Sequence, residues 1–196
     1  SVWDLNTDGA NETVAMITDA GGRAIACVGN AASAAEIASS AARTRKELGP
    51  ITILVNNAGI TGFKRFEEIT EEEMDRMMDI NIKGPFLCTQ AIIPDMVAAN
   101  WGRIVNISSS SAQTGAPMMA HYATSKGGVI AFTKTLAREY AEKGITVNNI
   151  PPGFVDTPML RASPVDVDAQ AAASPMKRAG RPEDIATACS YLVSEA

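Results

Sequence analysis

The sequence predicts an α/β protein in which a doubly wound parallel sheet carries helices on both faces. Short β-branched runs alternate with longer segments of helical periodicity along the 196 residues, which is the pattern of repeated strand–helix–strand units. Neither an internal repeat nor a linker interrupts this alternation, and the length suits one hydrophobic core. We therefore expect a single domain over residues 1–196.

The first half of the chain is expected to supply three strands and two helices. A strand ends at Asp4, and a helix follows until the Gly21-Gly22 stop. Ser33 with Glu36 three residues later predicts a capping box that opens the second helix. The expected strands cover 2–4, 24–28 and 51–55, and the expected helices cover 8–20 and 33–49.

The second half begins with a long helix that a second capping box, Thr70 with Glu73, should open. The residues expected to face inward from it are Met74, Met77, Met78, Ile82 and Phe86. A kink is expected near Gly84-Pro85, where proline removes an N–H. Further strands are expected at 103–107 and 145–150, and further helices at 121–143 and 182–194. Residues 151–177 show no clear periodicity, and we expect 159–175 to form a mobile lid.

Composition excludes several classes of function. The net charge is −5 and the basic residues are scattered, so neither a nucleic-acid nor an anionic membrane surface is expected. No apolar run of about 18 residues is present, so no membrane span is expected. Cys27, Cys88 and Cys189 are odd in number and lie in apolar contexts, which favours reduced thiols in the cytoplasm. His121 is the only histidine and no metal-ligand spacing occurs, so no metal site is expected.

Tyr122 and Lys126 are the most informative pair of side chains. They lie four residues apart in a predicted helix, so the Lys126 ammonium can approach the Tyr122 hydroxyl. Bringing a tyrosine pKa from about 10 to about 7 takes roughly 4 kcal/mol, which nearby positive charge can supply by stabilising the phenolate. We expect Lys126, helped by a cationic cofactor, to lower the pKa of Tyr122 and make it a usable acid. The same spacing also occurs where an aromatic side chain merely lies beside a solvated charge.

Other motifs surround this pair in a fixed order. They are Asn56-Asn57-Ala58-Gly59 at a strand end, Asn81 in the next helix, Ser109 thirteen residues before Tyr122, and Pro152-Gly153-Phe154-Val155-Asp156-Thr157 after a later strand. With these motifs the chain, from residue 1 to residue 196, resembles the classical short-chain dehydrogenase/reductase family. The resemblance implies a Rossmann-like sheet and a hydride transfer between NAD(H) and a secondary alcohol or ketone.

The resemblance also implies four catalytic residues. Tyr122 would be the general acid/base for the substrate oxygen, and Ser109 would hydrogen-bond that oxygen. Ser109 is selected only by its spacing from Tyr122, because the run 108–111 is also consistent with a polar loop. Lys126 would lower the pKa of Tyr122 and hold the nicotinamide ribose. Asn81 would let its helix kink, so that a main-chain carbonyl holds a water that relays protons from Lys126.

The cofactor contacts expected from the resemblance lie mainly at strand ends, where doubly wound sheets bind dinucleotides. They are Asp4, Leu5, Asn30, Ala31, Asn57, Ala58, Gly59, Tyr122, Lys126, Pro152, Gly153, Val155 and Thr157. Gly59 permits a close backbone approach on the adenosine side. The segment from Pro152 to Thr157 would meet the nicotinamide carboxamide.

Asp4 bears on the choice of cofactor. A carboxylate at the end of this strand accepts hydrogen bonds from the ribose hydroxyls and repels a 2′-phosphate. The run Asp4-Leu5-Asn6 has no Arg or Lys to neutralise such a phosphate, so we expect NAD(H) rather than NADP(H). The alternative is that Asp4 only caps the following helix.

The resemblance implies further segments that these residues do not contain. The family begins with a strand and a glycine-rich turn that seats the pyrophosphate, and it ends with another strand. In the strand order 3-2-1-4-5-6 the first strand lies in the middle of the sheet, so its absence would leave two strand edges unpaired. We therefore expect the 196 residues to be part of a longer protein.

Three functions remain open from the sequence. The first is an NAD-dependent alcohol dehydrogenase or carbonyl reductase, and the second is a 3-oxoacyl-thioester (acyl-carrier-protein) reductase that uses NADPH. The third is a catalytically silent subunit for binding or assembly. We also expect a homo-dimer or homo-tetramer, because long helices such as those around 71–98 and 121–143 commonly form a four-helix interface in the family.

Overall fold

The computed structural model describes residues 1–195, and it has the α/β architecture that the sequence predicts. Strands β1 (Val2–Asp4) and β2 (Ala26–Val28) pair in parallel. Strands β3 (Ile53–Asn56), β4 (Gly102–Ile107) and β5 (Ile145–Ile150) form a second parallel sheet in the order β3-β4-β5. All five expected strands are present, each within two residues of its expected bounds.

Helices connect and cover these strands. They are α1 (Thr7–Asp19), α2 (Ala34–Leu48), α3 (Glu71–Met78), α4 (Gly84–Ala99), α5 (Ser111–Thr114), α6 (Ala120–Tyr140), α7 (Pro158–Arg161), α8 (Val167–Ala173) and α9 (Pro182–Val193). Single 3₁₀ turns lie at Phe66–Glu68 and Ala141–Lys143, and a π turn lies at Asp79–Lys83. Within the described range, no helix has the length and apolar character that crossing a membrane requires.

The two sheets are separated by a cavity of about 490 Å³. Trp3 of β1 lines one side of it and Leu54 of β3 lines the other. None of the strands in residues 1–195 pairs with both β1 and β3. Strands β1 and β3 therefore belong to separate sheets within residues 1–195.

Only one of the two predicted capping boxes is complete. Thr70 and Glu73 exchange both bonds, at 3.3 Å and 2.9 Å. Ser33 accepts from the Glu36 N–H at 3.4 Å, but the Glu36 carboxylate accepts instead from the Asn30 N–H at 2.8 Å. The Glu36 carboxylate therefore bonds to the preceding loop and not to the Ser33 N–H, which a capping box requires.

The long helix is interrupted by the π turn, immediately before the expected kink at Gly84-Pro85. Met77 is buried as expected, but Phe86 is 48% exposed, so its inward assignment was wrong. A π turn inserts one residue relative to α-helical spacing, which rotates the following helix by about a quarter turn. Phe86 consequently packs on the outer side against Phe132, with ring centroids 5.7 Å apart.

Residues 151–177 contain more structure than their sequence suggested. Thr157 caps α7 by accepting from the Leu160 N–H at 3.2 Å, and Asp166 caps α8 by accepting from the Ala169 N–H at 2.9 Å. Both helices are too short to show periodicity, so their cap residues were the available signal.

The main core lies between α4 and the β3-β4-β5 sheet, and its buried residues are Ile92, Met96, Ile104, Ile145 and Val147. Asp95 of α4 secures this layer from its edge. It accepts from Arg45 Nε at 2.8 Å and from the Ile51 N–H at 2.9 Å, so it joins α2 to the segment that enters β3. Burial favours the neutral acid, but the Arg45 guanidinium and the Ile51 N–H outweigh it and hold the pKa of Asp95 below its ordinary value.

Asp95→Ala is expected to lower the free energy of unfolding by about 2–3 kcal/mol, because charged hydrogen bonds to a largely buried carboxylate are lost. Urea denaturation measures this. Glu47→Ala is the control, since its carboxylate pairs with Arg43 on an exposed helix surface and should contribute less than about 1 kcal/mol. The folded pKa of Asp95 is depressed, so its contribution is present above the ordinary pKa and is lost as the pH falls through the folded value. If Asp95→Ala and Glu47→Ala lower the free energy of unfolding equally at neutral pH, Asp95 does not have the stabilising function proposed here.

Candidate active site

Asn81, Ser109, Tyr122 and Lys126 come from three segments, the π turn, the loop after β4 and α6, and they meet beyond the carboxyl end of β4. Lys126 reaches the carbonyl of Ile107, the last residue of β4, at 2.9 Å. Ser109 follows two residues later and lies close enough to Tyr122 to influence the phenol. Gly59 lies next to both Asn81 and Lys126. A Cβ on Gly59 would lie 3.1 Å from Asn81 Oδ1 and 3.3 Å from Lys126 Nζ.

Lys126 is 5% exposed although it carries a titratable amine. Its Nζ donates to the Ile107 carbonyl and lies 6.0 Å from the centroid of the Tyr122 ring. Burial lowers the pKa of Lys126 to about 8. The side chain is therefore still mostly charged at neutral pH, and it places a positive charge beside the tyrosine as the i, i+4 spacing predicts.

Tyr122 does not show the expected shift in the chain alone. Burial raises the pKa of Tyr122 above its ordinary value, and hydrogen bonding with the Ser109 hydroxyl opposes this only partly. In the chain alone, burial outweighs the interactions that favour the phenolate, and Lys126 Nζ is directed at the Ile107 carbonyl. At neutral pH the phenol is protonated, which is the form that can donate a proton.

Ser109 is held by Ser111, which the sequence did not single out. The two hydroxyl oxygens are 2.8 Å apart, and the Ser111 N–H also donates to Ser109 Oγ at 3.2 Å. Ser111 is the first residue of α5 and is buried. Ser111 thus orients the Ser109 hydroxyl.

Asn81 is fully buried in the π turn, and its side chain binds the loop that follows Gly59. Oδ1 accepts from the Ile60 N–H at 2.8 Å, and Nδ2 donates to the Ile60 carbonyl at 2.9 Å. Nδ2 also donates to Ser125 Oγ at 3.0 Å, and Ser125 in turn donates to the Tyr122 carbonyl at 2.8 Å. Asn81 therefore ties the loop to the tyrosine helix, a function that spacing alone did not indicate.

Some of the residues predicted to contact a dinucleotide line the cavity between β1 and β3, and others do not. Asp4 at the end of β1, Ala31 after β2, and Asn57 and Ala58 after β3 line the 490 Å³ cavity. Leu5 is exposed, and the Asn30 side chain accepts from the Ala32 N–H at 2.8 Å in a local turn, so neither lies on this wall. Asp4 ends β1, and Asn57 and Ala58 follow β3, so these residues lie at the edge where doubly wound sheets bind dinucleotides.

The Pro152–Thr157 segment extends from beside Ser109 to the start of α7. The Pro152 carbonyl accepts from the Ser110 N–H at 2.9 Å, so the turn lies directly beside Ser109. Val155 forms a bridge with Gly180, and Thr157 caps α7. The residues predicted to contact the carboxamide therefore run from beside Ser109 to the start of α7.

Asp4 is not the cap of α1. Its Oδ1 accepts from the Asn6 N–H at 2.8 Å, whereas Asn6 caps the helix by accepting from Asp8 and Gly9. Within residues 1–195, Asn6 is the one hydrogen-bond donor to the Asp4 carboxylate, whose side chain remains exposed. No cluster of three or more potential metal ligands occurs in this part of the chain.

Comparisons with known proteins agree with this geometry. The short chain dehydrogenase family profile matches residues 1–167. Nodulation protein G of Azospirillum brasilense is 45% identical over 155 residues, which are 79% of this chain and 63% of that protein. Acetoacetyl-CoA reductase of Cupriavidus necator is 41% identical over 172 residues, or 87% and 70% of the two chains. The chain thus spans less than two thirds of the first of these relatives and about seven tenths of the second.

Two further relatives cover almost the whole chain. A 3-oxoacyl-[acyl-carrier-protein] reductase of Synechocystis is 39% identical over 189 residues, which are 95% of this chain and 74% of that protein. Among solved structures, a gluconate 5-dehydrogenase from Burkholderia cenocepacia in complex with NADP and tartrate matches with a TM-score of 0.90 and 28% identity. That match covers 98% of this chain and 77% of the other.

Proposed function

The chain belongs to the short-chain dehydrogenase family, and on this premise we propose that it is an oxidoreductase that transfers a hydride between a nicotinamide cofactor and a secondary alcohol or ketone. The observation that carries the proposal is the convergence of Ser109, Tyr122 and Lys126 beyond β4. A buried lysine is costly to keep charged, and here its one hydrogen bond among the described residues goes to the Ile107 carbonyl. Such a charge is useful where negative charge develops, as it does on a tyrosine that loses its proton.

In the reducing direction, a bound nicotinamide cofactor would supply the hydride, and the residues of this chain would manage the proton. Tyr122 donates its phenolic proton to the carbonyl oxygen, which becomes the alcohol, and is left as the phenolate. Ser109, oriented by Ser111, hydrogen-bonds the same oxygen and stabilises the charge that develops there. Lys126 stabilises the phenolate by its positive charge. In the oxidising direction each step reverses, and Tyr122 accepts the proton.

The π turn supports a route for returning the proton. Pro85 has no N–H, so the carbonyl of Asn81, one helical turn earlier, receives no bond from it. We propose that this carbonyl holds a water that exchanges protons with Lys126. The Asn81 side chain, through its two bonds to Ile60, keeps the neighbouring loop in place around that water.

A 3-oxoacyl thioester is a second candidate substrate. It is favoured by the names of the relatives, an acetoacetyl-CoA reductase at 41% identity and a 3-oxoacyl-[acyl-carrier-protein] reductase at 39% identity. Rates with acetoacetyl-CoA and with simple secondary alcohols and ketones, each with both nicotinamide cofactors, separate the two candidates. A higher kcat/KM for the thioester assigns the second, and turnover of neither class would overturn the proposed function.

For the cofactor we propose NAD(H), and Asp4 supports this through its exposed carboxylate at the end of β1. The related gluconate 5-dehydrogenase was solved with NADP, so that comparison gives the preference no support. Asp4→Ala is expected to lower the ratio of kcat/KM for NAD to that for NADP by about 10- to 100-fold, because a charged hydrogen bond and a repulsion are lost together. Asp8→Ala, in the first turn of α1, is the control. A wild-type preference for NADP, or an unchanged ratio in Asp4→Ala, would contradict the assignment.

We also propose a homo-dimer or homo-tetramer formed through α4 and α6. Phe86 and Phe132 present an aromatic pair on these two helices, and Phe86 is 48% exposed. Light scattering on the purified protein reports the subunit number. A monomer at micromolar concentration would reject this interface.

A further inference from the structure

His121 is buried immediately beside the proposed acid. It is the second residue of α6, precedes Tyr122 and is 6% exposed. One helical turn later on the same face lies Ser125, which is fully buried and binds Asn81. The imidazole therefore lies on the face of α6 that packs toward α3 and the loop after β3.

Gly62 of that loop lies against the imidazole. A Cβ at position 62 would lie 2.5 Å from His121 Nε2 and 3.2 Å from Cε1, and 3.4 Å from Met77 Cε. A contact of 2.5 Å is shorter than real side chains adopt, so either the loop or the ring would have to move. The ring thus occupies the space that any larger residue at position 62 would need.

The loop is attached on both sides of this contact. On one side Ile60 exchanges two hydrogen bonds with Asn81, and on the other the Lys64 N–H donates to the Met118 carbonyl at 2.7 Å. Met118 lies in the turn that enters α6. A displacement at Gly62 would therefore be transmitted both to Asn81 and to the beginning of the tyrosine helix.

Packing alone does not account for the choice of histidine. His121 Nδ1 is buried and has no hydrogen-bond partner among the residues that the structure describes. A buried polar atom without a partner destabilises a protein, so an apolar side chain would be preferred if filling space were sufficient. The flat ring carries this cost at the position where its edge meets a glycine backbone.

We propose that His121 is a positioning residue: its ring, packed against Gly62, sets the spacing between the 59–62 loop and the start of α6 and so places Tyr122 relative to Lys126 and the substrate. The inference rests on the proposed function of Tyr122. It adds to the site a contact between a histidine and a glycine, neither of which is expected to touch the substrate oxygen.

A double-mutant cycle tests the contact. Gly62→Ala is expected to lower kcat about tenfold, because the new methyl group displaces the loop, and His121→Ala is expected to lower it by a similar factor. In the His121→Ala background the space is open, so adding Gly62→Ala should leave kcat unchanged or raise it. Gly127→Ala on α6 is the matched control, because its Cβ would meet nothing within 4 Å. An equal cost of Gly62→Ala in both backgrounds would overturn the proposal.

His121→Leu separates positioning from packing. Leucine removes the unpartnered Nδ1 but cannot reproduce the flat edge against Gly62, so we expect an unchanged or higher melting temperature together with a lower kcat at unchanged KM. Wild-type kcat in this variant would show that only bulk is needed and would overturn the proposal.

Hydrogen exchange at the Ile60 amide gives a readout that does not depend on turnover. This amide bonds to Asn81 Oδ1, so its exchange should accelerate at least about tenfold in Gly62→Ala and recover in the double variant. If wild-type protein shows no turnover but the exchange rates are coupled, the proposed function fails and the His121–Gly62 contact stands. If wild-type protein turns over, but the effects of Gly62→Ala on kcat and on Ile60 exchange are the same with and without His121, the positioning function of His121 is rejected.

Discussion

Tyr122→Phe is expected to lower kcat by about 10²- to 10⁴-fold, because the variant cannot exchange a proton with the substrate oxygen. Cofactor affinity should change little, since only one hydroxyl is removed. Tyr140→Phe is the control, because Tyr140 lies at the far end of α6. Rates measured with saturating cofactor, together with a cofactor titration by fluorescence, separate loss of chemistry from loss of binding.

The structure also predicts that this variant will fold. Tyr122 is partly buried, and burial favours its neutral form over the phenolate, so phenylalanine suits the same environment. The free energy of unfolding should therefore lie within about 1 kcal/mol of the wild-type value. Full turnover in a well-folded Tyr122→Phe protein would exclude the proposed mechanism. A wild-type protein that binds cofactor without turnover would instead favour a silent binding or assembly subunit.

Lys126→Met is expected to lower kcat by about 10²- to 10³-fold, because the positive charge that stabilises the phenolate is lost. The rate of alcohol oxidation rises with pH as Tyr122 loses its proton. Without Lys126 the apparent pKa of Tyr122 should rise, so this increase should move to higher pH. Lys134→Met is the control, since Lys134 is an exposed residue of α6. An increase at the same pH in Lys126→Met and wild type would contradict the electrostatic function of Lys126.

The burial of Lys126 also predicts how the stability of the protein changes with pH. The pKa of Lys126 falls from 10.5 to about 8 on burial, so between these values the unfolded chain holds a proton that the folded chain has lost. The free energy of unfolding therefore rises with pH across this window, by roughly 3 kcal/mol at most. Lys126→Met should lack that rise. Urea denaturation of both proteins from pH 7 to above pH 10 gives the difference, and parallel curves would show that burial does not shift the lysine.

Local patterns predicted most of the fold. Buried runs located β3, β4 and β5, and the Thr70–Glu73 pair located the start of α3. The exposed side chain of Phe86 was not predictable in this way, because periodicity assumes a regular helix and a π turn changes which face the following residues occupy. The caps at Thr157 and Asp166 were visible in the sequence, although the helices they begin are too short for a periodic signal.

For the site, spacing in the sequence identified which side chains meet but not what each one binds. The positions of Tyr122 and Lys126 follow from their i, i+4 spacing, and the structure brings Ser109 beside them. In the chain alone the pKa of Tyr122 is raised, because burial outweighs the Ser109 hydrogen bond, and burial depends on the tertiary structure rather than on spacing. Contacts between distant segments, such as Asn81 with Ile60 and His121 with Gly62, have no signal in local sequence.

The most direct test of the central claim is a single-turnover reduction by wild type and Tyr122→Phe, using a nicotinamide deuterated at its transferable position. The substrates are acetoacetyl-CoA and a simple ketone. We predict that wild-type protein places the deuterium on the carbinol carbon of at least one product, and that Tyr122→Phe binds the same cofactor but forms that product at least about 10²-fold more slowly. Formation of labelled product at the wild-type rate by Tyr122→Phe, or the absence of label from every wild-type product, would contradict the account.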